Sequence, residues 1–320
     1  MPKKTWLIFN PVAGQGDVDQ DLDVIHRLLC PAFDLHVYLT TPEKDADSLA
    51  HAALEDGAEL VIASGGDGTL SAVAQVVAGT GIPLGIIPRG TANALAASLG
   101  LPQDLQQACQ VILDGHVHCI DTARCNSRVM ILLAGIGFEA ETIKQTSRLS
   151  KNRLGILAYV LSGLKQLSGM SNFKVEIETE EQLIHCKAVA VTVANTAPPT
   201  SILAQGAAQV CPDDGQLDVT IVAATTLLEA VATGYHLLST AMRELPTERE
   251  NIGYLRCRKL RIHTDPVQKV VVDGEVVETT PLEIECMPQS LIILAPQSGQ
   301  TPEVPEEKLE GLPGLRVQNK

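Results

Sequence analysis

Leu60-Val-Ile-Ala-Ser-Gly-Gly-Asp-Gly-Thr69 is an apolar run that breaks into three glycines, an aspartate and a threonine within five positions. An apolar stretch bounded by turn residues reads as a buried strand. Glycines at 65, 66 and 68 permit positive φ and let the main chain approach phosphate oxygens. The helix expected to follow, through Thr69, Leu70, Ser71 and Ala72, offers free N–H groups to an anion. Asp67 sets a carboxylate in the same loop. It would repel a phosphate unless a divalent cation lay between them, so the pairing implies Mg²⁺. A tight strand-to-helix turn alone requires fewer such residues.

Outward from this loop, residues 5–125 alternate short apolar runs with helical patterns. Thr5–Asn10, Leu35–Leu39, Leu60–Ala63 and Leu84–Ile87 read as strands, and stretches near 18–29, 45–56, 69–78, 91–99 and 104–114 as helices. Such alternation predicts a parallel α/β sheet, whose ligands sit at the carboxyl ends of the strands. Two more strand ends have suitable residues there: Asn10-Pro11-Val12-Ala13-Gly14, and Pro88-Arg89-Gly90-Thr91-Ala92-Asn93. Each alone would pass for a turn or helix cap. Together they predict a nucleotide site.

Past residue 126 the pattern becomes β-rich, with strands expected at 173–178, 184–194, 217–223, 255–263, 268–273, 281–286 and 290–294. Helical regions are expected near 139–168 and 226–242. The reading is a nucleotide-binding domain over 1–126, a β-rich domain over 127–297, and a loosely ordered tail over 298–320, rich in Pro, Gly, Gln and Glu. A formal charge of −14 argues against a nucleic-acid partner. Eight cysteines without a CxxC pair point to reduced thiols in a cytoplasmic protein rather than to a zinc ribbon or a disulfide framework. No run approaches the ~18 apolar residues of a membrane span, so any membrane contact is expected to be peripheral.

These segments resemble the diacylglycerol kinase catalytic-domain family, which includes bacterial diacylglycerol kinases, YegS-type lipid kinases and sphingosine kinases. The matching elements run in the family's order: Asn10-Pro11 with Gly14, Thr40 ahead of Asp45-Ala46, Gly65-Gly66-Asp67-Gly68-Thr69, Pro88 with Gly90-Thr91 and Asn93, Pro212-Asp213-Asp214-Gly215, and Asp273-Gly274-Glu275. The resemblance implies an N-terminal three-layer α/β/α nucleotide-binding domain, phosphofructokinase- and NAD kinase-like, and a C-terminal β-sandwich. It implies ATP and Mg²⁺ as cofactors and a lipid alcohol as acceptor. Asn10 to Gly14, Thr40, Gly66 to Ala72 and Thr91 would surround the triphosphate, and Asp67 and Asp121 would hold catalytic magnesium through waters. Glu275 would be the general base, with Asp273 on the same side if that segment were fully extended; Asp-Gly-Glu also reads as a hairpin turn. A structural magnesium would take the Asp214 side chain and the main chain of Cys211 and Gln216, although on chemistry alone Asp-Asp-Gly is equally a turn. Two departures stand out. Ala94 occupies a position where family members usually have an acid, and Pro198–Ala208 lacks the paired glycines common before the Asp-Asp-Gly turn.

Three rival readings exist. Gly135-Ile-Gly137-Phe-Glu-Ala140 matches a dinucleotide fingerprint, but no second strand ending in an acid follows about 20 residues on. An NAD kinase shares the Gly-Gly-Asp-Gly-Thr loop, yet such enzymes typically continue with a Leu-Gly-Phe segment where this chain has Pro88-Arg-Gly-Thr. A non-catalytic lipid- or nucleotide-binding protein would retain the loops without turnover. Lys144, Arg148, Lys151 and Arg153, beside Leu residues at helical spacing, form a candidate surface for an anionic membrane. The sequence leaves open which lipid is phosphorylated and whether the chain forms a homodimer.

Overall fold

The computed structural model describes residues 2–14, 16–137, 172–198, 210–223, 251–296 and 306–320. The helical regions expected within 139–168 and 226–242, the basic cluster at 144–153 and most of Pro198–Ala208 lie outside these residues. Two compact units emerge: Met1–Thr122 with Met287–Thr301, and Ala123–Cys286 with Pro302–Lys320. The stretch Met287–Thr301, expected in the β-rich domain up to 297, groups with the first unit.

The first unit runs β1 (Lys3–Phe9), α1 (Val18–Leu29), β2 (Phe33–Leu39), α2 (Ala46–Glu55), β3 (Leu60–Gly65), α3 (Asp67–Val77), β4 (Leu84–Pro88), α4 (Ala94–Ser98), α5 (Leu105–Asp114) and the start of β5 (Val117–Cys125). β2, β1, β3 and β4 are neighbours in that order, all parallel. Helices start where the sequence supplies a cap: the side chains of Asp17, Asp45 and Asp104 accept main-chain N–H groups at the starts of α1, α2 and α5. Leu7, Phe9 and Ile62 share one core with Ile25 and Leu29 of α1 and Ala108, Cys109 and Ile112 of α5. Alternation along a strand turns the equally buried Trp6, Ile8, Val61 and Ala63 to the opposite face. α2 packs with α3 and α1 with α5, giving the α/β/α layering that the strand–helix alternation predicts.

The second unit is a β-sandwich. It continues β5 and adds β6 (Arg128–Met130), β7 (Leu133–Gly137), β8 (Phe173–Thr179), β9 (Gln182–Ala188), β10 (Ala190–Ala194), β11 (Leu217–Val222), β12 (Ile252–Cys257), β13 (Lys259–Asp265), β14 (Lys269–Val272), β15 (Glu275–Thr279), the first part of β16 (Leu282–Leu294) and β17 (Arg316–Asn319). One sheet has the order β17, β9, β8, β13, β16, and the other β12, β11, β10, β7, β14, β15. Both supply the core: Val175, Ile177, Ile184, Leu260, Ile262 and Ile284 from the first, with Ile136, Val191, Val193, Val219, Ile221 and Val270 from the second. β8 alternates buried and less buried residues, the pattern of a strand with one face on a core. Cys125, Cys186, Cys257 and Cys286 sit in this core outside any disulfide, and burial pushes Cys186 up to about 12, which suppresses the reactive thiolate.

Two expectations are corrected. The runs 281–286 and 290–294 are one strand, β16, which pairs antiparallel with β13 through Leu282–Glu285 and parallel with β4 at Ile293. The tail is ordered over 306–320: β17 adds to the edge of β9, Lys308 and Tyr254 exchange main-chain hydrogen bonds, and buried Leu312 fills the space left by Gly253, where a Cβ would meet its Cδ1 at 2.6 Å. Its polar composition conceals this because main-chain pairing on an edge strand asks little of side chains. Gly135 and Gly137 of the dinucleotide fingerprint, a rival set aside above, lie on β7, which is flanked antiparallel by β10 and β14; residues 138–140 lie outside the described residues.

Candidate active site

Parallel register aligns the carboxyl ends of β1, β3 and β4: Phe9 stands beside Ser64, and Gly65 beside Pro88. The main chain then ties the segments that follow. Asn10 N–H donates to the Ser64 carbonyl (2.8 Å), Thr40 N–H to Phe9 (2.9 Å), and Arg89 N–H to Gly65 (2.7 Å). The Asn10 side chain donates through Nδ2 to Thr69 Oγ1 (2.8 Å) and accepts from Val12 N–H (3.1 Å). Asn10, Thr40 and Thr69, chosen from motifs scattered over the first 69 residues, are thus brought together.

Gly65, Gly66 and Gly90 are required by contact and not by the expected positive φ, which neither they nor Gly68 adopt. A Cβ on Gly65 would lie 2.6 Å from the Thr69 side chain, and one on Gly90 would lie 2.7 Å from Gly66 Cα and 2.6 Å from Asn93 Oδ1. The two glycine loops therefore touch main chain to main chain. Asn93 adopts a left-handed conformation (φ 47°), which Asn tolerates better than most residues, and is buried. Its amide bonds both the N–H and the carbonyl of Gly90 and reaches Gln103 Oε1. Asp67 opens α3, and its carboxylate accepts from Asn93 N–H (3.0 Å) and from Ala94 N–H. One acid thereby closes the loop after β4 onto the loop after β3.

Not every expected position presents a side chain. Leu70 and Ser71 are buried, whereas Gly68 and Thr91 are exposed and Val12 is 88% exposed. What α3 offers outward is main chain: the N–H groups of its first turn have no acceptor within the helix. Asp121 is buried in β5, and its Oδ1 accepts from Gln289 N–H (2.7 Å).

In the second unit, Val272 pairs with Glu275 across a two-residue turn in which Asp273 (φ 48°) and Gly274 (φ 89°) are both left-handed. The segment is not extended, so the geometry that would have set Asp273 alongside Glu275 as a second acid does not arise. The Asp273 carboxylate instead accepts the N–H groups of Ile131 (2.8 Å), Leu132 (2.8 Å) and Leu133 (3.1 Å), anchoring the turn. Glu275 is exposed at the head of β15.

At the Asp-Asp-Gly turn, Asp214 Oδ1 accepts from Gln216 N–H (3.0 Å), while Oδ2 pairs with Arg256 Nη2. Arg256 also lies against Asp218, 2% exposed, whose Oδ1 accepts from Tyr254 Oη (2.5 Å). Burial pushes the Asp218 carboxyl up to about 6 and raises the Tyr254 phenol as well. The Cys211 thiol is pushed up to about 12 by burial and by its bond to Asp213.

These arrangements treat the two implied metal sites differently. Asp67, an oxygen donor beside glycine amides, fits a hard ion such as Mg²⁺ that keeps most of its water. Asp214 is already engaged, its Oδ1 by Gln216 N–H and its Oδ2 by Arg256, so its charge is matched within the protein. Sequence reading missed the pair Arg89–Asp21, the Gln103 bridge and Arg256. The one available signal was Arg89, a lone cation at the end of an apolar strand.

The Diacylglycerol kinase catalytic domain family matches residues 4–125, and the YegS C-terminal NAD kinase beta sandwich-like domain matches residues 132–295. An uncharacterised protein of Synechocystis sp. is 43% identical over 301 residues, covering 91% of this chain and 70% of the relative. The diacylglycerol kinase of Staphylococcus saprophyticus is 28% identical over 314 residues, covering 96% of this chain and 100% of the relative. A crystal structure of a diacylglycerol kinase from Bacillus anthracis superimposes with a TM-score of 0.73 at 27% identity, covering 92% of this chain and 97% of that one. With one family domain matching the α/β unit and its companion the β-sandwich, the chain belongs to the diacylglycerol kinase catalytic-domain family of lipid kinases.

Proposed function

We propose that this chain transfers the γ-phosphate of ATP to the hydroxyl of a lipid alcohol, diacylglycerol or a close relative. The observation that carries the reading is Asp67, locked by Asn93 and Ala94 N–H groups between two interleaved glycine loops, in a chain of this family. The first-turn amides of α3, the Asn10–Thr69 pair, Thr40 and Thr91 bind and orient the triphosphate. Asp67 and Asp121 are the carboxylates that would hold Mg²⁺, which when bound offsets phosphate charge and stabilises the transition state. The acceptor oxygen bonds to the γ-phosphorus, the bond to the leaving ADP breaks, and the hydroxyl proton passes to Glu275. Asp273 serves by holding the turn from which Glu275 projects.

A lipid acceptor places this reaction at a membrane surface. Among the described residues no helix is long and apolar enough to cross a bilayer, so the encounter we propose is peripheral. The test is transfer of label from γ-labelled ATP to diacylglycerol, monoacylglycerol, a sphingoid base and a prenol in mixed micelles, with and without magnesium. Magnesium-dependent labelling of diacylglycerol is expected. Labelling of none of the four would overturn the proposal.

A further inference from the structure

Arg89 has a side chain only 5% exposed in the middle of the candidate triphosphate site. Burying a guanidinium costs several kcal/mol unless partners replace its water. Here all three nitrogens have partners. Nε and Nη2 both donate to Asp21 Oδ2 (3.0 and 2.7 Å), and Nη1 donates to the Asn10 carbonyl (2.9 Å). The guanidinium carbon also stands 4.2 Å from the centre of the Phe9 ring, within cation–π range.

Those partners are spread over the segments that form the site. Asn10 follows β1 and Asp21 lies in the first turns of α1, so one side chain pins both ends of the β1–α1 loop. The main chain of Arg89 adds two more contacts. Its N–H donates to the Gly65 carbonyl, and its own carbonyl packs on Gly14, where a Cβ would come within 3.0 Å. Asn10 is thus fixed from two directions, its carbonyl by Arg89 and its side-chain amide by Thr69 at the start of α3.

Resting on the kinase reading above, we infer that Arg89 is a positioning residue for the nucleotide: with Asp21 it sets the Asn10–Gly14 loop against the glycine loop of β3 and so governs ATP affinity. It touches neither the acceptor nor the proton transfer. A planar fork is needed, because lysine has one nitrogen and cannot bridge Asp21 and the Asn10 carbonyl in the same plane.

The experiment measures MgATP binding by titration calorimetry, and KM for ATP and for lipid, in wild type, Arg89→Ala, Arg89→Lys and Asp21→Asn, all below their melting temperatures. ATP affinity is expected to fall about 10- to 100-fold in Arg89→Ala, as misplacement of binding loops does, while KM for the lipid stays unchanged. Arg89→Lys should recover only a fraction, and millimolar guanidinium should restore much of the affinity of Arg89→Ala, a rescue that a merely destabilised protein would not show. If Arg89→Ala does not fold, Asp21→Asn decides the matter, since its carboxylate is partly exposed on a surface helix. ATP affinity equal to wild type in a folded Arg89→Ala or Asp21→Asn overturns the inference. A wild-type chain that binds no MgATP overturns the kinase reading itself.

Discussion

Two Asp-Gly turns, one in each unit, contain the same residue types and put them to different uses. At Asp67-Gly68 the strand passes into a helix, the acid collects two N–H groups from a neighbouring loop, and the first-turn amides have no acceptor within the helix. At Asp273-Gly274 the strand turns back on itself, and the acid is committed to three N–H groups of 131–133. In the proposed reading the first turn is where charge and donors gather for the nucleotide. The second is an anchor, and in the proposed mechanism the proton transfer falls to the next residue, Glu275. An acid in a glycine turn therefore indicates function only when the chain beyond it leaves donors unpaired.

The comparison breaks most visibly at its two chemical residues. Asp67→Ala is expected to lower turnover by about 1,000-fold, since it removes both the proposed magnesium anchor and the clasp between loops; a steady-state transfer assay reads this. Glu275→Gln should cost about 100-fold, a usual share for a general base, with a melting curve indistinguishable from wild type because the side chain is exposed.

Asp273→Ala sharpens the contrast. Leaving three N–H groups without their charged acceptor should destabilise the second unit by about 2–4 kcal/mol in denaturant unfolding, with turnover below the transition falling less than in Glu275→Gln. Leu312→Ala should cost about 2–3 kcal/mol by emptying the space against Gly253, with unchanged activity below the transition. Ala94→Asp should have the smallest effect, a gain in turnover of less than about tenfold, as a second acid joins Asp67. A raised KM for ATP without that gain would show that the cap on Asp67 has already organised this site.

Much of the fold of the first unit was legible because β1, β3 and β4 carry short apolar runs closed by Asn, Gly and Pro, and the loops converge by the logic of a parallel sheet. β16 was not, since Pro288, the left-handed Gln289 and Ser290 interrupt its apolar pattern although the strand continues. The tail was obscured for a different reason: its attachment is mainly main chain plus a single leucine. At the site, the glycines and Asp67 could be read from spacing, but the partners that decide their roles could not. Arg89 and Asp21 are 68 positions apart and meet only because α1 returns to the sheet edge. The Arg256–Asp214 pair, 42 positions apart, likewise appears only once β12 lies beside β11, and it turns an expected metal ligand into half of an ion pair.

The most direct measurement is transfer of label from γ-labelled ATP to diacylglycerol by wild type, Asp67→Asn and Asp273→Asn, each at saturating nucleotide and magnesium and below its melting temperature. Asparagine keeps an acceptor oxygen at both turns while removing the charge, so both variants should fold. The account predicts labelled lipid from wild type, a loss of about 100-fold or more in Asp67→Asn, and a rate within about tenfold of wild type in Asp273→Asn. Equal rates in wild type and Asp67→Asn would contradict it.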